Sequence, residues 1–210
     1  MTQDEWERGI ARADLCRFLA ACHYQPGPEF AEERMFDSML AAASRVAPDF
    51  AARARRIGDA YAAEHPESLL VDYTQLFLGP VDTLAKPYGS AWLGGQQALM
   101  QDSTIAVQQL YEEGGFEISE DFRELPDHVA AELEFLYLLI FRETEARRNG
   151  DLESTNAMTA LRQRVLAEHL GAWIGPFTQA VKDGARTPFY RELADLTRSF
   201  VETEAAALRS

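Results

Sequence analysis

The sequence has few cysteines and no long apolar run, and both absences limit the functions open to it. The chain of 210 residues contains only Cys16 and Cys22, too few for a disulfide framework or a cysteine-rich metal site. No segment approaches the ~20 consecutive apolar residues that span a bilayer, and the charged N-terminus lacks the apolar core of an export signal. We therefore expect a cytoplasmic protein with reduced thiols and no stable membrane insertion.

Basic side chains are also scarce. Lys and Arg number 20 against 34 Asp and Glu, which gives a formal net charge of −14. Nucleic-acid affinity comes mainly from Lys and Arg side chains that displace counterions from phosphates, so we exclude nucleic acid as a partner. The acidic surface favours a cationic partner, attracted by a field that salt screens over roughly 10 Å at 0.1 M.

Apolar residues are abundant, and their spacing is helical. They make up 47% of the chain, which is typical of a globular protein with a full core. They recur at three- and four-residue intervals almost throughout, whereas no stretch alternates as a strand does. Residues 133–141 are apolar on nearly all sides and predict a central, buried helix. We predict one all-α domain over residues 1–210 with about nine helices, as a monomer or a domain-swapped dimer.

The helical pattern fails between residues 78 and 102. This segment holds four of the thirteen glycines and two of the nine prolines. A long irregular segment in a compact helical protein is more often functional than accidental. Its large apolar and aromatic residues either attach the loop to the core or line a groove for an apolar peptide segment. These residues, in or beside the loop, are Tyr73, Leu76, Phe77, Pro80, Pro87, Tyr88 and Trp92.

Candidate catalytic residues lie at the start of the central helix. His128 and Glu132 are four residues apart and would share a helix face, a spacing that can ligate a metal, but the two-histidine H-E-x-x-H pattern is absent. The structural interpretation makes Asp127 the helix N-cap and leaves Glu132 exposed. The alternative function is a small helical metal-dependent hydrolase or nucleotide-processing enzyme centred on Asp127, His128 and Glu132.

Three blocks in order carry a family resemblance: YTQLFLGP at residues 73–80, KPYGSAW at 86–92 and PDH at 126–128. They resemble the TorD/DmsD family of redox-enzyme maturation chaperones. One departure is Lys86, because the family often has proline at that position. The lysine makes the loop less rigid and places a positive charge near a site expected to receive arginines.

The resemblance implies an all-helical cytoplasmic chaperone without catalytic activity or an obligatory cofactor. Such proteins bind the twin-arginine signal peptide of a molybdenum-cofactor oxidoreductase precursor and assist its folding and cofactor loading before export. Some members are reported to bind guanine nucleotide weakly. A stable assembly subunit of a redox complex is a further alternative. By residue-by-residue transfer, the peptide-binding residues would be Leu76, Phe77, Gly79, Pro80, Pro87, Tyr88, Ser90, Trp92, Pro126, Asp127 and His128.

A signal peptide joins a positively charged region to an apolar region, so its receptor needs carboxylates beside an apolar groove. We assign the apolar region to Trp92, Tyr88 and Phe77. The arginines are assigned to the carboxylates of Asp127, Asp82 and Glu124. We expect His128, at a helix start, to favour its neutral form.

Overall fold

The computed structural model describes residues 1–79, 83–93, 102–118 and 123–209. These residues form eleven α-helices, a π-helical turn and no strand. The predicted all-α fold is confirmed, and nine of the described helices have eight or more residues. In the described part of the chain, no helix combines the length and apolarity needed to cross a membrane. Pro80 and Asp82, both predicted site residues, lie outside the described residues.

The helices follow one another along the chain with mostly short connections. They are α1 (Gln3–Cys22), α2 (Glu29–Glu32), α3 (Met35–Val46), α4 (Pro48–Ala63), α5 (Pro66–Tyr73), α6 (Ser90–Leu93), α7 (Asp102–Glu113), α8 (Val129–Asn149), α9 (Leu152–Glu168), α10 (Leu170–Gly184) and α11 (Pro188–Ala207). The π-helical turn (Thr74–Leu78) continues α5 directly.

Local sequence signals explain several helix ends. Pro48 and Pro188 occupy the first turns of α4 and α11, where a missing N–H costs nothing. The Asp151 carboxylate caps α9 by accepting from the Ser154 N–H. Gly150 ends α8 at a φ of 73°, a left-handed conformation that glycine adopts without steric penalty.

The core is built around α8, which packs against both α1 and α9. Helices α10 and α11 add the large aromatic side chains. Cys16 and Cys22 are buried free thiols, as predicted. The largest fully buried side chains are Trp173, Tyr190, Phe177, Phe189 and Phe200.

A buried ionic network joins four helices. The Arg162 guanidinium on α9 donates to Glu143 on α8 at 2.8 Å and to Glu204 on α11 at 3.0 Å. Glu204 also accepts two hydrogen bonds from Arg12 on α1, at 2.9 and 2.6 Å. Because both carboxylates are buried, removing Arg162 leaves charge in the core with fewer partners.

We predict that Arg162→Met lowers the free energy of unfolding by about 3 kcal/mol, since it leaves two buried carboxylates with one cationic partner each, Arg147 for Glu143 and Arg12 for Glu204. The control is Arg198→Met, which breaks an exposed pair with Glu202 and should cost less than about 1 kcal/mol. Urea unfolding of both variants measures the difference. Equal losses in the two variants would contradict the structural role of the network.

Candidate functional site

The first sequence block, residues 73–80, contains the π-helical turn. The wider turn directs Leu76 and Phe77 into the core, where they are 0% and 4% exposed. The Phe77 ring lies 5.1 Å from that of Tyr73 and 6.1 Å from that of Phe177. π-turns occur frequently at functional sites. Here the turn places the predicted contact residues Leu76 and Phe77 inside the protein, so the assignment of Phe77 to a bound apolar segment does not fit its burial.

The second and third blocks meet in a short antiparallel bridge between Tyr88 and His128. The Gly89 N–H donates to the Asp127 carbonyl at 2.8 Å. The amide after His128 donates to the Pro87 carbonyl, also at 2.8 Å. Two segments about forty positions apart in the sequence therefore form one structural unit.

The Asp127 carboxylate connects the same two segments. It is 1% exposed, and its Oδ2 accepts from the Ser90 N–H at 2.8 Å. It does not cap α8: His128 is the N-cap, and its Nδ1 accepts from the Ala130 N–H at 3.2 Å. The predicted cap role of Asp127 is therefore wrong. Its burial also keeps it from direct contact with an arginine outside the protein.

Glu132 lies under this unit and is 1% exposed, so the prediction that it is exposed is wrong. Its Oε1 accepts from the Trp173 Nε1–H at 3.2 Å. A Cβ on Gly89 would stand 2.9 Å from that nitrogen and 3.1 Å from Oε1. Burial, and then the neighbouring Asp127 charge, raises the pKa of Glu132 well above its usual range. Glycine at position 89 thus lets the loop lie directly over a carboxyl group that favours its protonated form.

Two tyrosine rings flank His128 on its outer side. The Tyr24 ring is nearly parallel to the imidazole, with centroids 6.1 Å apart, and the Tyr88 ring meets it edge-on at 5.4 Å. Burial lowers the pKa of His128 to about 4, although the Asp127 charge opposes the change. The predicted neutral form is therefore confirmed by the surroundings of the ring.

Each tyrosine carries a carboxylate at its hydroxyl. The Tyr88 hydroxyl donates to Glu124 Oε2 at 2.7 Å, and the Tyr24 hydroxyl donates to Glu134 Oε1 at 3.0 Å. Glu124 is exposed and Glu134 is half-buried. Partial burial raises the pKa of Glu134, and the Tyr24 hydrogen bond offsets part of that change. We call Tyr24–Glu134 and Tyr88–Glu124 the two tyrosine–glutamate pairs.

The remaining predicted residues contact the protein's own backbone and core. The Trp92 Nε1–H donates to the Lys86 carbonyl at 2.8 Å, and the half-buried indole lies 6.4 Å from the Phe177 ring. The Pro126 carbonyl accepts from the Tyr111 hydroxyl at 2.7 Å. Gly79 ends the π-turn at a φ of 37°. Tyr88 and Trp92 reach the surface, whereas Pro87 and Ser90 are buried.

The geometry does not support the alternative enzyme centre. His128 directs Nδ1 at its own helix, whereas Glu132 faces Trp173. Within the described ranges, no group of three or more His, Cys, Asp or Glu side chains could hold a metal ion.

Sequence reasoning missed Tyr24 and Glu134. Tyr24 follows α1 and lies more than a hundred positions from His128 in the chain. In the sequence, nothing distinguishes Glu134 from any other charged residue on a helix. Only the packing of α1 against α8 brings them together.

Comparison with known proteins finds a matching family model and similar curated proteins. The family model described as nitrate reductase delta subunit matches residues 43–179. A Tat proofreading chaperone DmsD from Salmonella typhi is 33% identical over 132 residues, which cover 63% of this chain and 58% of that protein. A chaperone protein TorD from Vibrio parahaemolyticus is 26% identical over 140 residues, 67% of this chain and 64% of that protein. The matched region thus spans about three fifths of these relatives.

A solved structure shows the same fold. It is a candidate redox enzyme maturation protein from Archaeoglobus fulgidus, and it superposes with a TM-score of 0.56. The superposition covers 90% of this chain and 93% of that chain at 20% sequence identity.

The raised pKa of Glu132 predicts a pH-dependent cost to stability. As pH rises above the ordinary carboxyl pKa near 4.5, the unfolded chain loses this proton while the folded chain keeps it, so folding stability falls. Glu132→Gln removes the titration and keeps an acceptor for Trp173. Its stability relative to the wild type should increase from pH 4 to pH 8 in urea unfolding. A difference that stays constant from pH 4 to pH 8 would contradict the assignment.

The Asp127 carboxylate predicts a second stability effect. Asp127→Ala removes the acceptor of the Ser90 N–H and should cost about 1–3 kcal/mol of unfolding free energy. Asp127→Asn keeps an oxygen acceptor and should cost less. Hydrogen exchange of the Ser90 amide reports on the contact directly: exchange should accelerate in the alanine variant, and equal protection in all three proteins would contradict the role of the carboxylate.

Proposed function

This chain belongs to the nitrate reductase delta subunit family, and we propose that it is a chaperone for a molybdenum-cofactor oxidoreductase precursor, whose twin-arginine signal peptide it binds. The match over residues 43–179 confirms the resemblance to TorD and DmsD. The relatives are named as chaperones, with one described by its role in Tat proofreading. In this proposal the chain has no catalytic step; it binds the precursor while the client folds and receives its cofactor.

The observation that carries the proposal is the exposed Tyr88–Glu124 pair. A guanidinium forms charge-assisted hydrogen bonds with a carboxylate and stacks on an aromatic face. The Tyr88 hydroxyl already fixes the orientation of Glu124 at 2.7 Å, so little side-chain entropy remains to be lost on binding. We therefore assign an arginine of the peptide to Glu124, in place of the buried Asp127.

The buried part of the site then has a positioning role. Asp127 accepts a hydrogen bond from the Ser90 N–H, and the bridge from Tyr88 to His128 fixes the position of the Tyr88 ring beside the imidazole. Because His128 is neutral at physiological pH, it adds no positive charge that would repel an arginine. The net charge of −14 assists the approach of a cationic segment.

Delayed export follows from this mode of binding. A signal peptide whose arginines contact the tyrosine–glutamate pairs cannot present the same side chains to an export receptor. Release of the peptide after cofactor loading would expose the arginines again.

Calorimetry with a synthetic peptide tests the proposal. The peptide carries two adjacent arginines followed by an apolar stretch. Glu124→Gln should weaken its binding about tenfold or more, because a hydrogen bond to a charged group contributes about 1.5–3 kcal/mol. The tyrosine hydroxyl can still donate to the glutamine oxygen, so the fold should be preserved.

The matched control is Glu153→Gln, which makes the same charge change at an exposed position. Position 153 follows the C-terminal end of α8, about 30 Å from the site at the N-terminal end. The control should bind like the wild type. Equal binding by Glu124→Gln and the control, or undiminished binding of a peptide with both arginines replaced by alanine, would contradict the proposal.

A further inference from the structure

A second apolar surface adjoins the site, between α7 and α8. It is a cavity of about 250 Å³, smaller than the roughly 300–1,000 Å³ of most small-molecule sites. It suits one or two large aliphatic side chains. We call it the α7–α8 pocket. Its apolar lining consists of Tyr111, Phe116, Ile118, Ala131, Phe135 and Leu138.

Aromatic packing forms the back of this pocket. The Phe135 ring contacts the rings of Tyr111 and Phe116, with centroids 4.5 and 5.1 Å apart. The Tyr111 hydroxyl is anchored on the Pro126 carbonyl, within the third sequence block. The walls are therefore preformed, and binding there does not require ordering of those side chains.

Glu134 connects the pocket to the candidate site. It lines the pocket, and its Oε1 accepts from the hydroxyl of Tyr24, whose ring stacks on His128. One half-buried carboxylate thus belongs both to a tyrosine–glutamate pair and to an apolar pocket. A ligand that satisfies both needs a cationic group beside an apolar side chain.

The charges of the pocket lining also favour a ligand with a cationic group. Glu117 and Glu134 are acidic groups in its lining. The neighbouring cation, Arg142, stacks at 3.9 Å on the Phe116 ring and donates to the Gly114 carbonyl at 3.1 Å. It does not belong to the lining. The lining charge is therefore negative, which complements a cationic segment.

We infer that the α7–α8 pocket receives the apolar side chains of the bound peptide, while Glu134 contacts one of its arginines. The inference rests on the proposed function and changes the location of the apolar contacts. The loop assigned to them from the sequence offers less surface than expected, because Phe77 is buried and the Trp92 indole N–H is bonded within its own loop.

Two substitutions test the pocket without changing its charge. Ile118→Ala removes a lining side chain that is 37% exposed, so the fold should tolerate it. Ala131→Leu fills the pocket from α8. The control, Ile105→Ala, truncates the same residue type on α7 at a position that is 55% exposed and outside the pocket. Thermal unfolding checks that each variant is folded.

Calorimetry uses the arginine peptide with its apolar stretch intact and a second peptide with that stretch replaced by serines. Ile118→Ala should bind the first peptide about fivefold more weakly than the control does, and Ala131→Leu about tenfold more weakly, as burial of an aliphatic side chain predicts. Against the serine peptide, Ile118→Ala and Ile105→Ala should bind equally.

The outcomes separate this inference from the proposed function. If wild-type protein binds the peptide through its arginines but both pocket variants bind like Ile105→Ala, the pocket inference is overturned and the proposed function stands. If the wild type does not distinguish the arginine peptide from its alanine version, both are overturned. Should Ala131→Leu fail to fold, the result for Ile118→Ala decides.

Discussion

The hydrogen bond from the Ser90 N–H to the buried Asp127 carboxylate is the contact on which the candidate site depends. It attaches a glycine- and proline-rich loop to the residue just before the N-cap of the central helix, next to the backbone bridge from Tyr88 to His128. Burying a carboxylate lowers the stability of the folded protein, even when one backbone N–H donates to it. Because Asp127 is buried despite this loss of stability, we infer that its role is to position the loop.

The interior and the surface of the site have different roles. Inside, Glu132 favours its protonated form and His128 its neutral form, because burial disfavours charge on both. Outside, the tyrosine–glutamate pairs keep carboxylates near solvent and orient them with phenol hydroxyls. The charge that a cationic peptide meets is thus separated from the groups that hold the loop. This separation explains how the N-terminal end of α8 can hold the buried Asp127 and Glu132 and also present a surface that binds arginines.

Much of the fold could be predicted from the sequence. The 3.6-residue periodicity, the prolines at positions 48 and 188 and the cap at Asp151 define helices through local forces, and the structure has them. The burial of Glu132 could not be predicted, because a charged residue on a helix is usually exposed. The N-cap of α8 is His128 and not Asp127, because the Asp127 carboxylate instead accepts from the N–H of Ser90, which is far away in the sequence. Tyr24, Glu134 and the α7–α8 pocket arise only when α1 and α7 pack beside α8.

The central claim is that a carboxylate held by a tyrosine recognises an arginine of the client's signal peptide. A double-mutant cycle tests it most directly, with Glu124→Gln in the protein combined with replacement of each arginine in the peptide. The account predicts a coupling energy of at least about 1 kcal/mol between Glu124 and one of the two arginines, as for groups in direct contact. Additive effects for both arginines, with coupling near zero, would contradict it.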